Sequence, residues 1–395
     1  MTDIIHVTFS TIDVLPPLLH EIDSLASTEF RSRILGLRYD ATKSSREMRG
    51  SQTIIHRLTL ITRRISARQI IILKFIRYIE FSSRVIWFLM RHRSRILVAH
   101  DMSALIPCFL YSRLKRISLM YNAHELWSEV NDYSTPLLSL WKRIEQKLVH
   151  RIDVVVTPNA ERSRILEEEF LTKKKPVTVL NAPRVQSFEG LENMIEKKIG
   201  LSKSDGFRFI LYQGLFESNR CLHELIRAMA LVDESNILVL LGRGDSSYIE
   251  GMKNCIQSNR VERQVFLLDP VPYEHLIAYT ASAEVGVLLY RNSGRNNYFC
   301  APNKLYEYLH RGLPVLASNF PDLYREVEGN AFGACVNPSD PHAIARGIRK
   351  IYSLEKSESA LRERIRLYCE KAFNWENEFS KLHCLYATLL RGENP

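Results

Sequence analysis

Short apolar runs alternate with segments of helical spacing along this chain, and that alternation admits little besides parallel sheets covered by helices. A first series of runs falls at residues 4–10, 32–37, 95–99, 118–122, 154–158 and 177–180. Residues 186–207 are then rich in Glu, Lys, Ser and Gly, as a linker would be. A second series follows at 209–213, 237–241, 265–268, 284–289 and 314–318. The expectation is an α/β protein of two doubly wound, Rossmann-like domains facing across a cleft, with ligands at the carboxyl ends of the strands. The boundaries place a first domain at 1–183, a linker at 184–206 and a second domain at 207–373. With 46% hydrophobic and 25% charged residues, composition is that of an ordinary globular chain.

The richest stretch for chemistry is Ala301-Pro-Asn-Lys-Leu-Tyr-Glu307 and its continuation to Ser318. It reads as a loop broken at Pro302, a helix whose first turn carries Asn303 and Lys304, a stop at Gly312-Leu-Pro314, and a buried strand. Unpaired N–H groups and partial positive charge at a helix start, with a lysine beside them, suit an anion. Glu307 stands one turn further on the same face, where a carboxylate accepts from sugar hydroxyls. A capped helix with solvated charges is the other reading of these residues. Gly214 follows a strand and Arg220 lies six residues on, a spacing at which backbone and guanidinium can meet a phosphate. Gly242-Arg243-Gly244 repeats the arrangement, without a dinucleotide fingerprint or a Walker lysine, and reads equally as a tight turn.

Charge is unevenly placed. The chain carries a net +10, and residues 1–180 hold 28 lysines and arginines against 18 acidic residues, so the excess lies in the first half. Residues 43–95 hold thirteen basic residues and only Glu47 and Glu80, interleaved with apolar residues in helical order between Ile70 and Met90. Basic residues interrupt every run that approaches the roughly 20 apolar residues of a membrane span. In-plane contact with an anionic membrane surface is expected, against the alternative of two core helices with snorkelling arginines. Nucleic acid is not an expected partner, since no recognisable motif accompanies the patch. Seven scattered cysteines without a Cys-x-x-Cys pair argue against a disulfide framework and a zinc site. The N-terminus carries no export signal, and a cytoplasmic location is expected.

Three motifs carry a resemblance: Tyr212-Gln-Gly-Leu-Phe-Glu-Ser-Asn-Arg220, Leu238-Val-Leu-Leu-Gly-Arg-Gly244, and 301–307 through Ala317-Ser318. Over residues 207–352 their order and spacing resemble the donor domain of GT-B glycosyltransferases of family 4. The resemblance implies that Gly214, Gly242, Arg220, Asn303 and Lys304 hold a donor diphosphate and that Glu307 binds the ribose. It implies that Val271, in the loop 269–273, frames the base. Two departures stand out: Phe299 occupies the position of the family's first glutamate, and Leu215 that of an arginine. The first domain matches more loosely, with His100-Asp101 and His124-Glu125 at successive strand ends on the acceptor side, and residues 374–395 resemble the crossover helix that completes it.

The implied reaction moves a sugar from a nucleotide diphosphate to an acceptor hydroxyl with retention at the anomeric carbon. His124, Arg220 and Lys304 are the candidate catalytic residues, His124 orienting the sugar and the two cations stabilising the leaving group. No Asp-x-Asp occurs, so no metal and no other cofactor is expected. The basic region points to a lipid-linked or growing glycan acceptor at the inner membrane face, as in synthesis of O-antigen, capsule or exopolysaccharide. A nucleotide-sugar epimerase of the same fold and a non-enzymatic membrane-binding scaffold are the alternatives.

Overall fold

The computed structural model describes residues 2–64, 71–126, 136–185 and 194–393, and divides into two compact units. The first comprises Met1–Asn181 and Trp375–Pro395, the second Ala182–Asn374.

The first unit is built on β1 (Thr2–Thr11), β2 (Ser32–Leu37), β3 (Arg46–Arg49), β4 (Thr53–Leu58), β5 (Ser94–His100), β6 (Ser118–Asn122), β7 (Val154–Thr157) and β8 (Val177–Thr178). They form one sheet in the order β3-β4-β2-β1-β5-β6-β7-β8, parallel throughout except for β3. The order reverses between β1 and β5, which creates a switch point at their carboxyl ends. The helix Trp375–Leu390 belongs to this unit. Its Trp375, Leu382, Tyr386 and Leu389 pack with Ile4, Ile96, Val98 and Met120 of the central strands, and Trp375 Nε1 donates to Ser24 Oγ at 2.8 Å.

The second unit holds β9 (Arg208–Phe216), β10 (Asn236–Gly244), β11 (Val265–Leu268), β12 (Val285–Leu288), β13 (Val315–Ser318) and β14 (Gly333–Val336). All are parallel, in the order β11-β10-β9-β12-β13-β14, and the switch point lies between β9 and β12. Phe209 to Gln213 are buried without interruption because helices cover both faces. The helix Leu222–Met229 shows how one such cover forms, placing Leu222, Leu225, Ile226 and Met229 on one buried stripe.

Three expectations change. Among its described residues the basic region 43–95 holds one long helix, where helical order was expected, and not the two core helices of the alternative reading. Its first part is the hairpin β3–β4, where Thr53, Ile55 and Arg57 alternate inward. The Arg57 side chain is 1% exposed and pairs with Asp13 at 2.9 Å and Glu47 at 2.8 Å, so it leaves the surface patch. One helix, Ile71–Arg91, follows, and residues 65–70 lie outside the described residues. Within the expected linker, Met194–Ile199 forms a helix whose Ile195 is fully buried and whose Met194 N–H donates to Ser282 Oγ at 2.8 Å. Three apolar residues among charged ones anchor that segment to the second unit. Finally, Gly214 and the Gly242–Gly244 turn are not loops. β9 and β10 run on through them in register, Gly214 opposite Gly242 and Phe216 opposite Gly244.

Candidate active site

In the second unit the expected donor-site residues converge at the carboxyl ends of β9, β12 and β13. The helix Asn303–His310 starts there because Pro302 is extended (φ −78°, ψ 130°) and no side chain caps the first turn. Leu305, Tyr306, Tyr308 and Leu309 bury its inner face, and the Tyr308 ring lies where a side chain at Gly286 would stand. This anchoring leaves Asn303, Lys304 and Glu307 half-buried on the outer turn.

Gly214 has φ +129°, a conformation a side chain resists, and a methyl group there would stand 2.9 Å from Lys304 Nζ. The ammonium thus lies against bare backbone. It also lies 4.5 Å from the centroid of Tyr212 and 6.0 Å from that of Tyr290, while Arg220 Cζ is 4.4 Å from Tyr290. Burial, and then the neighbouring Arg220 charge, push Lys304 down to about 7 from its ordinary 10.5, with Glu307 opposing. Arg220 is held by Glu217 at 3.4 Å. Two cations cushioned on tyrosines beside an uncapped helix start form a site that an anion would complete.

Glu307 is oriented by a relay. Thr280 Oγ1 donates to Gln213 Oε1 at 2.9 Å, which turns the Gln213 amide N–H towards Glu307 Oε2 at 2.7 Å. Burial raises the Glu307 carboxyl and Lys304 counters it. Gly242 serves the site indirectly: any side chain there would collide with the Gly214 carbonyl oxygen, so its role is to let the two strands close. Val271 sits half-buried in the loop between β11 and the helix Tyr273–Ser282. Phe299 follows the short helix Arg295–Tyr298, with its ring 4.9 Å from that of Tyr298, and brings no carboxylate.

In the first unit, three histidines form a chain at the switch point. His124 Nε2 lies 2.9 Å from His100 Nδ1, and His100 Nε2 lies 3.1 Å from His6 Nδ1. His100 and His6 are buried, whereas His124 is half-buried at the outer end. Burial pushes His124 down to about 4, so its ring is neutral near pH 7 and serves as a hydrogen-bonding group. Asp101 opens its helix at φ +60°, and its carboxyl accepts from the backbone N–H groups of Glu125 and His124. Asp101 therefore pins the 124–125 turn, and Glu125 is exposed. His6, Glu21 and His100 offer atoms within 4.8 Å of one another, but the imidazoles face each other and Glu21 takes the Tyr386 hydroxyl.

Sequence reasoning missed Tyr212, Gln213, Thr280, Tyr290, His6 and Glu21. Gln213 carried a signal, being a polar residue that ends a fully apolar run just before a glycine. Thr280 and Glu21 carried none, because tertiary contact alone brings them in.

Two parallel-sheet units of this kind make up the GT-B fold of glycosyltransferases. The family model described as "Glycosyl transferases group 1" matches residues 193–368, and that described as "Glycosyltransferase Family 4" matches residues 21–182. The chain belongs to the GT-B glycosyltransferases of the family 4 type and is a glycosyltransferase enzyme. Among solved structures it is similar to sucrose-phosphate synthase from Thermosynechococcus elongatus, with 15% identity, 100% of each chain covered and a TM-score of 0.80. It is also similar to Anabaena HepE in complex with UDP-glucose, with 14% identity, 98% of this chain and 100% of that one covered, and a TM-score of 0.74. WaaG, a glycosyltransferase involved in lipopolysaccharide biosynthesis, aligns at 12% identity over 96% of this chain and 98% of its own, with a TM-score of 0.68. At such identities the likeness is one of fold. No curated protein matches the sequence.

Proposed function

We propose that the protein transfers a sugar, with retention, from a nucleoside-diphosphate donor to a lipid-linked or growing glycan at the inner membrane face, in the synthesis of a surface polysaccharide. The observation that carries the donor half is Lys304 Nζ held against Gly214, beside Arg220 and an uncapped helix start. Breaking the sugar C1–O bond leaves an oxocarbenium-like sugar and an anionic diphosphate. Lys304 and Arg220 neutralise the diphosphate, Glu307 takes the ribose hydroxyls, and Val271 flanks the base. His124 hydrogen-bonds to the transferred sugar, with no covalent intermediate and no metal ion in the scheme. The HepE structures in complex with UDP and with UDP-glucose support a donor of this class.

The helix Ile71–Arg91 supports the membrane half. Phe81, Val85, Phe88 and Leu89 bury one face, yet Ile72, Phe75, Ile76 and Ile79 lie 43–69% exposed along another. A helix apolar on two faces needs a second apolar surface, and Lys74 stands among those exposed residues. Among the described residues no helix is long and apolar enough to cross a membrane, so the contact is in-plane.

Thermal-shift titration with uridine, guanosine, adenosine and thymidine diphosphates tests the donor site, since a ligand of the native state raises its stability. One base should stabilise selectively, and Glu307→Ala should weaken that nucleotide but not inorganic pyrophosphate. A folded protein that answers to none of them removes the reading.

A further inference from the structure

The amino edge of the first unit's sheet, at the opposite end of the strands from His100 and His124, carries an open pocket of about 900 Å³. Thr2 at the start of β1, Arg33 in β2, Gln52 before β4 and Arg93 before β5 converge there, joined by Arg91 and His92 at the end of the helix Ile71–Arg91. Among the described residues no carboxylate lines it.

Arg33, Arg91 and Arg93 of this pocket are placed differently from the ion-paired arginines of the second unit. Arg364 and Arg366 of the helix Leu361–Ala372 are each paired with glutamates, at 2.7 Å for Glu358 and 2.5 Å for both Glu363 and Glu370. Arg33 instead donates to Thr2 Oγ1 at 3.0 Å and lies 3.0 Å from His56 Nε2. Arg91 lies over the Trp87 ring at 3.8 Å. Among the described residues neither Arg33, Arg91 nor Arg93 has a carboxylate partner. Burial and then the Arg46 charge hold Arg33 below its usual value; burial, followed by Arg33, Arg46 and Arg91, holds His92 down against the Phe88 carbonyl. Arg31, which also lines the pocket, pairs with Asp3 at 3.6 Å, but the other three guanidiniums repel one another, and guanidinium forks match phosphate oxygens in shape and charge.

We propose that this pocket binds a phosphate-bearing anion through Arg33, Arg91 and Arg93, independently of the donor site. Exposed Met48, Trp87 and Met90 around it would seat the apolar part of a lipid whose headgroup carries the phosphate, and a soluble phosphate ester would meet the same three cations.

The test is calorimetric titration of inorganic pyrophosphate into the full chain carrying Lys304→Met and Arg220→Gln, which silence the donor cations. Binding should persist there and weaken at least tenfold on adding Arg91→Gln with Arg93→Gln, two exposed positions whose loss spares the core. Arg33→Gln is the second variant, read only if its far-UV circular dichroism is unchanged. Co-sedimentation with phosphatidylcholine vesicles with and without phosphatidic acid separates the sources. A gain from phosphatidic acid that the Arg91/Arg93 double variant abolishes assigns a lipid headgroup, and pyrophosphate binding without that gain assigns a soluble ester. Absence of pyrophosphate binding in the silenced chain, or binding unchanged by the Arg91/Arg93 variant, overturns the proposal. Nucleoside diphosphate binding by the unaltered chain reports separately on the donor site.

Discussion

Lys304 should couple donor binding to the uptake of a proton. In the free protein its ammonium is pushed down to about 7, so at pH 8 roughly nine-tenths of it is neutral, whereas at pH 6 it is charged. A diphosphate placed against Gly214 restores the charge and raises the pKa towards its ordinary value. Affinity contributed by Lys304 is therefore complete below pH 7 and is lost as pH rises from 7 towards the pKa of the bound state, at about tenfold in Kd per pH unit. Titrating nucleoside diphosphate by calorimetry at pH 8 in two buffers of different ionisation enthalpy should show close to one proton taken up per site, and at pH 6 close to none. Lys304→Met removes a charge-assisted hydrogen bond of about 1.5–3 kcal/mol, which weakens binding at pH 6 by roughly 10- to 150-fold. The variant should also abolish the uptake at pH 8, and turnover should fall by roughly 10² to 10³. Wild-type protein that binds at pH 8 without proton uptake, or a methionine variant that takes up the same proton, would refute the assignment.

Three further outcomes follow from the packing. Gly242→Ala sets a methyl group against the Gly214 carbonyl, so it should cost on the order of 1–3 kcal/mol in urea unfolding and lower donor affinity as Gly214 shifts. Glu21 is buried with its pKa raised to about 7 by that burial, against the Tyr386 hydroxyl bond. A carboxyl raised in the fold loses stability as pH climbs from 4.5 to 7, so Glu21→Gln should flatten that slope and stabilise the protein at pH 8 by roughly 3 kcal/mol, read from the urea midpoint at each pH. Phe75→Ser with Ile79→Ser alters two exposed positions, so it should leave the melting temperature within a few degrees while cutting co-sedimentation with anionic vesicles several-fold.

Much of the candidate site in the second unit was legible in the sequence because its signals are local. Pro302, Lys304 and Glu307 lie within six residues of one another, and a helix start needs only its own turn to face them outward. Gly214 was legible as a close approach, although the approaching group, Lys304 Nζ, comes from ninety residues away. Gly242 looked like a second phosphate loop because a glycine pair after a strand looks the same whether it faces a ligand or a neighbouring strand. The hairpin Arg46–Arg49 and Thr53–Leu58 was hidden by composition. A strand at a sheet edge buries only alternate residues, and Arg57 counted as surface charge until Asp13 and Glu47 appeared beside it.

By itself the sequence determined the two βα series, the strands that end at the site and the helix that presents Lys304 and Glu307. Periodicity, proline and glycine act over a few residues and need no partner to be read. Only the tertiary structure decided the order of the strands, the tyrosine cushions under the cations and the relay from Thr280 through Gln213 to Glu307. It alone lined up His6, His100 and His124 and gathered four arginines at the far edge of the same sheet. These depend on contacts between residues tens to hundreds of positions apart, where the energy of desolvating a charge is set by whichever groups the fold brings beside it.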